Sequence, residues 1–131
     1  MEDNMEKRMN KKELIELIES LNIDKEEFWL LSSSALVMRD IYPDAGDLDI
    51  GVTQKGLEQL KSNFNLKQKD NGWYIVNDMI ECVIDTKDVE KVNHYYVENI
   101  NRYYNYLLQS EREKDKKRIP LVEEYLKKHQ I

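Results

Sequence analysis

The order of residues from Phe28 to Val52 leaves few folds open. A short apolar run ends at Leu31, three serines follow, then an apolar helical pattern, a Pro-Asp-Ala-Gly turn, and Asp47-Leu48-Asp49-Ile50. Phe28 to Leu31 reads as a buried strand, Ser33 to Ile41 as a short helix and residues 47–52 as a second strand. Side chains alternate across a strand, so Asp47 and Asp49 share one face while Leu48 and Ile50 share the other. Two neighbouring carboxylates repel, and one of them resists ionisation unless a cation lies between them. A divalent metal resolves that conflict. The serines fall at a strand-to-helix junction, where unpaired amides and the positive end of the helix dipole suit a phosphate; a serine N-cap is the plainer alternative.

The remaining pattern extends this core in both directions. Residues 1–9 are polar and read as a frayed leader, and residues 10–131 as one domain, with an α/β core over 10–86 and C-terminal helices over 87–131. Asn10 and Glu13 form a capping box ahead of Leu14, Ile15, Leu17, Ile18 and Leu21, predicting a first helix that ends near Asn22. Thr53 caps a helix reaching Leu60 or Phe64, and Asn71-Gly72 turns between a weak strand over 65–69 and a firmer one over 73–76. The apolar run 79–84 is a third clear strand in which Glu81 faces away from Ile80 and Cys82. From about Glu90 the pattern becomes helical, with Tyr96, Ile100, Tyr103 and Leu107 on one stripe. A last helix starts at Pro120 and carries Leu121, Val122 and Tyr125.

Length and charge narrow the function classes. A chain of 131 residues builds one core without disulfides, and its single cysteine, Cys82, lies in an apolar run and reads as core. The net charge of −6 argues against unselective adhesion to nucleic acid. The run Lys114 to Arg118, with Lys127 and Lys128, would offer RNA a local patch; a solvated helix face is the commoner reading of such a cluster. No apolar run approaches the length that crosses a bilayer, and the acidic start is unlike a signal peptide, so a cytoplasmic protein without membrane contact is expected.

These residues together resemble the nucleotidyltransferase fold of the polymerase-beta superfamily, in particular its minimal, toxin-like and antibiotic-modifying members. Leu31-Ser32-Ser33-Ser34-Ala35-Leu36 stands where many small members carry an apolar residue followed by Gly-Gly-Thr-Ala-Leu. Asp47-Leu48-Asp49 matches the acidic pair, and Ile80-Glu81-Cys82 falls where a third carboxylate is expected, with Asp85 as an alternative. Arg112-Glu113-Lys114-Asp115 resembles the Arg-x-Lys-Asp helix of those branches, so the likeness spans roughly Phe28 to Leu126. Ser32 replaces a glycine of the family turn, and Glu81 replaces the commoner Asp.

The resemblance implies an α/β (α+β) fold, a small mixed β-sheet flanked by helices with a C-terminal helical pair. It also implies a metal-dependent nucleotidyltransferase moving a nucleoside monophosphate, AMP from ATP, to a hydroxyl of a small molecule, protein or RNA. In that reading Asp47, Asp49 and Glu81 are the catalytic carboxylates and hold Mg²⁺, or Mn²⁺ in its place, with Glu81 either completing a second metal position or taking the acceptor hydroxyl's proton. Ser32 and Ser33 hold the outer phosphates, while Lys114, oriented by Asp115, neutralises phosphate. So small a chain leaves little surface for the acceptor, which a homodimer would supply. The competing reading is a catalytically degenerate relative acting as a binding or regulatory module.

Overall fold

The computed structural model describes residues 8–129. In chain order the elements are α1 (Lys11–Glu19), a 3₁₀ turn (Lys25–Glu27), β1 (Phe28–Leu30), α2 (Ser32–Met38), β2 (Leu48–Val52), α3 (Gln54–Asn63), β3 (Lys67–Gln68), β4 (Tyr74–Asn77), β5 (Ile80–Ile84), β6 (Val89–Val92), β7 (Tyr95–Glu98), α4 (Ile100–Gln109), α5 (Glu113–Lys116) and α6 (Ile119–Lys128). The strands form one mixed sheet of seven in the order β3-β4-β5-β2-β1-β7-β6. β2 runs parallel to β5 and β1 parallel to β7, while the other neighbours are antiparallel.

Local signals account for the first half. Both arms of the capping box form at α1: Asn10 Oδ1 accepts from the Glu13 amide at 2.9 Å, and Glu13 Oε1 accepts from the Asn10 amide at 3.1 Å. Thr53 Oγ1 likewise accepts from the Gly56 amide at 3.0 Å and starts α3. Leu30, Ile50, Val52, Ile80, Cys82 and Val97 line one sheet face and pack with Leu14 and Ile18 of α1 and Leu57 and Leu60 of α3. α2 joins two cores, sending Ala35, Val37 and Met38 into that cluster and Leu36 into a second one with Ile100, Tyr103, Leu107 and Val122 of α4 and α6. Cys82 is fully buried, as its surroundings required, and burial pushes its thiol up to about 11.

Three expectations are corrected. The helical reading from residue 87 or 90 fails, because β6 and β7 form an antiparallel hairpin and helix begins only at Ile100. Asn93 and His94 make its turn with φ of 52° and 74°, the left-handed pair that a two-residue hairpin needs. The leader expected over 1–9 does not extend to its last residues. Met9 is buried and exchanges backbone hydrogen bonds with Ala45 at 2.8 and 2.9 Å, and Arg8 pairs with Asp44; residues 1–7 lie outside the described residues. The C-terminal helical pair is a pair with a single turn, α5, between its members.

The sheet's second face positions the site. Trp29, Gly51 and Val83 lie side by side there, as do Asp49 and Glu81. The Trp29 indole lies flat enough on Gly51 that a Cβ at that position would stand 2.2 Å from Nε1, which is why glycine stands between Ile50 and Val52 in β2.

Candidate active site

Asp49 on β2 and Glu81 on β5 are in register on adjacent parallel strands. Their side chains therefore project from neighbouring positions of one face, a strand spacing of roughly 4.8 Å apart at the backbone. Asp47, two residues before Asp49, is exposed just ahead of β2. Like charges directly opposite each other weaken a sheet, so nothing in strand pairing favours this arrangement. Its electrostatic consequence falls on Asp49: burial, then the charges of Asp47 and Glu81, push its carboxyl up to about 6, against the opposing pull of Lys69 and Lys114. The three carboxylates expected from sequence thus share one neighbourhood, with two lysines facing them.

Lys69 was not evident from sequence. Its Nζ lies 3.1 and 3.4 Å from the two Glu81 oxygens, so Glu81 pairs with Lys69. Arg39 is engaged elsewhere, with Glu90 and the Tyr125 hydroxyl. Lys69 belongs to the turn joining β3 to β4, closed by its own amide on the Trp73 carbonyl at 2.7 Å. A lone lysine in a polar turn has no periodic signature. Only the pairing of β4 with β5 brings it over Glu81.

The serine turn adopts the backbone that a glycine would. Ser32 has φ of 52°, in the left-handed region that costs a side-chain-bearing residue roughly 1–2 kcal/mol. No side chain caps α2, and the Ser32 amide points to Glu98 Oε1 at a long 3.5 Å. Among the described residues the Ser32 and Ser33 hydroxyls make no side-chain hydrogen bond, whereas Ser34 is buried and donates to the Leu31 carbonyl at 2.7 Å. Of the three serines, Ser34 is structural, and the other two remain open to a ligand.

The Arg112–Arg118 segment divides its residues between two duties. Lys114 is exposed and near enough to Asp49 to act on its charge. Asp115 is buried and accepts from Ser110 Oγ at 2.7 Å and the Tyr106 hydroxyl at 3.1 Å, so it orients Tyr106, not Lys114. Arg118 is buried too, donating to the Tyr103 hydroxyl at 2.9 Å and lying over the Tyr42 ring. With Asp115 and Arg118 turned inward, the run is not one basic surface, and Lys128 is paired with Glu124.

Beside the acidic pair is a cleft of about 300 Å³ reaching from Ser32 to Asp85 and Glu98, walled by Trp73 and by Tyr103 and Tyr106 of α4. Arg102 clasps both Asp85 oxygens at 2.7 and 2.9 Å, which takes Asp85 away from the acidic pair. Glu98 is buried at the end of β7, and its carboxyl is raised chiefly by that burial. Neither Glu98 nor Arg102 carries a sequence motif; a parallel β1–β7 pairing is what sets them beside Ser32.

Among the described residues no group of three or more His, Cys, Asp and Glu side chains forms a ready-made metal cage. Magnesium asks for less: one or two carboxylates, substrate phosphates and water, all as oxygen ligands. Asp47 and Asp49 offer that donor chemistry, and the raised carboxyl of Asp49 marks a place where added positive charge is favourable. No family model, curated protein or solved structure matches this chain. Among the described residues, no helix is long and apolar enough to cross a membrane.

Proposed function

We propose that this chain is a nucleotidyltransferase-like enzyme that transfers a nucleoside monophosphate, AMP from ATP, to a hydroxyl group with Mg²⁺ as cofactor. The observation that carries the reading is the in-register pairing of Asp49 with Glu81 beside Asp47, next to a turn that holds Ser32 in a glycine-like conformation. A sheet has no packing reason to bring these carboxylates together.

Transfer of this kind asks the protein mainly to hold the triphosphate in line and to offset its charge. Asp47 and Asp49 would hold Mg²⁺, which when bound supplies charge neutralisation at the phosphates and the leaving pyrophosphate. Ser32 and Ser33 present hydroxyls to the outer phosphates, and Lys114 adds positive charge from α5. Glu81 receives the proton of the acceptor hydroxyl on a carboxylate oxygen, with Lys69 at 3.1 Å holding that side chain in place.

The test is turnover of ATP against a panel of amino alcohols, peptides and RNA ends, read as transfer of an α-label to the acceptor and as matching pyrophosphate release. Asp47→Asn and Asp49→Asn are each expected to lower the rate at least about 100-fold while the fold is retained. Unchanged turnover in both variants would remove the catalytic reading. One observation favours the alternative of a scaffold without chemistry: the Lys69 ammonium already neutralises Glu81. In that case pyrophosphate is absent with every acceptor, although ATP still binds.

A further inference from the structure

We infer that the cleft between the turn before β4 and helix α4 is a binding site for a flat, amino-bearing heterocycle, the base of the nucleotide. The inference rests on the proposed function only for the origin of that ring.

Three features of the cleft carry the argument. Its walls are aromatic and come from separate elements: Trp73 from the β3–β4 turn, and Tyr103 and Tyr106 from α4. The two tyrosine rings stack at 6.0 Å between centroids with 19° between planes, and Tyr106 remains 47% exposed. An exposed aromatic at a cleft mouth, held by a buried carboxylate through its hydroxyl, is a preset stacking platform: Asp115 fixes Tyr106 as Arg118 fixes Tyr103. The Arg-x-Lys-Asp segment thereby gains a second purpose, setting the aromatic wall.

The polar groups then choose the kind of ring. Arg102 is spent on both oxygens of Asp85, so it has little to offer an anion. Glu98 is buried, yet its nearest donors are long, the Ser32 amide at 3.5 Å and Arg102 Nε at 3.6 Å. A buried carboxylate so loosely satisfied is an acceptor waiting for a donor. It repels phosphate and welcomes an exocyclic amino group. A volume of about 300 Å³ is at the small end of ligand sites and accommodates one ring system with its sugar. Ser32 borders both this cleft and the acidic face, so a nucleotide spanning the turn would put its base here and its phosphates on the other side.

Adenosine, without metal or phosphate, is the probe, followed by Trp73 emission and by calorimetry. Saturable quenching is expected, and Trp73→Phe should abolish the optical change while the binding heat persists. Tyr106→Leu should weaken binding by about tenfold or more, the scale of one base stacked on one aromatic side chain. Inosine, which replaces the amino group by a carbonyl, should bind at least about tenfold more weakly, and Glu98→Gln should erase that preference, because an amide both donates and accepts. No quenching up to the solubility limit, unchanged affinity in Tyr106→Leu, or equal binding of inosine and adenosine to the native protein would each overturn the assignment. Adenosine binding without Mg²⁺-dependent turnover would leave this site standing and remove the transferase reading. Turnover without any response of Trp73 to adenosine would do the reverse.

Discussion

Asp49 bears the conflict on which the site is built. Its carboxyl is lifted from 3.8 to about 6 by burial and by Asp47 and Glu81. A carboxyl raised in the native state favours the protonated form, so its contribution to stability is whole below the unfolded value and lost as pH climbs through the folded one. Asp49→Asn should therefore stabilise the protein above pH 6 and leave it unchanged near pH 3. The expected gain is about 1–2 kcal/mol, less than the full shift implies because water reaches this half-buried group. Urea unfolding of both proteins at the two pH values checks this; a loss of stability at high pH would mean that Asp49 is a structural partner. Ser32 gives a second reading at this scale. Its left-handed backbone makes Ser32→Gly stabilising by about 0.5–1 kcal/mol, since the relief of strain exceeds glycine's entropic cost. Thermal unfolding decides it, and a destabilised variant would assign the Ser32 hydroxyl a structural bond.

At the scale of elements, what sequence disclosed follows from how local each signal is. The capping box at Asn10, the Thr53 cap and the alternation through Asp47–Val52 and Ile80–Ile84 are short-range, and the elements they mark formed where expected. The β6–β7 hairpin was missed because Tyr96, Ile100, Tyr103 and Leu107 have helical spacing across a boundary that falls at Asn99. Its turn also carries Asn-His in place of the usual Asn-Gly. His94 has φ of 74°, so His94→Gly should stabilise the hairpin by about 1 kcal/mol, read as a higher denaturant midpoint with unchanged slope. A lower midpoint would mean that the His94 side chain packs more usefully than its backbone conformation costs. The carboxylates of the site lie on strands whose pattern was visible. Lys69, Glu98 and Arg102 were hidden because each reaches the site through a pairing between distant segments, as the contact between Ser32 and Glu98 illustrates.

For the whole molecule, the arrangement separates the packed cores from the acidic face. α1 and α3 cover one face of the sheet with apolar side chains, and α4 and α6 pack on α2 through a second core, so the acidic strand positions stay clear of both. That division explains how a chain of this size tolerates opposed carboxylates at Asp49 and Glu81: the core on the other face holds the strands in register against their repulsion. The central claim is that this acidic face binds nucleotide through a divalent cation. Calorimetric titration of ATP into the native protein and into Asp49→Asn, each with Mg²⁺ and with EDTA, tests it most directly. The native protein should bind ATP at least about tenfold more tightly with Mg²⁺, in keeping with a cation shared between carboxylates and phosphates, and Asp49→Asn should show no such gain. Equal affinity with Mg²⁺ and EDTA in the native protein, or a gain that survives in Asp49→Asn, would contradict it.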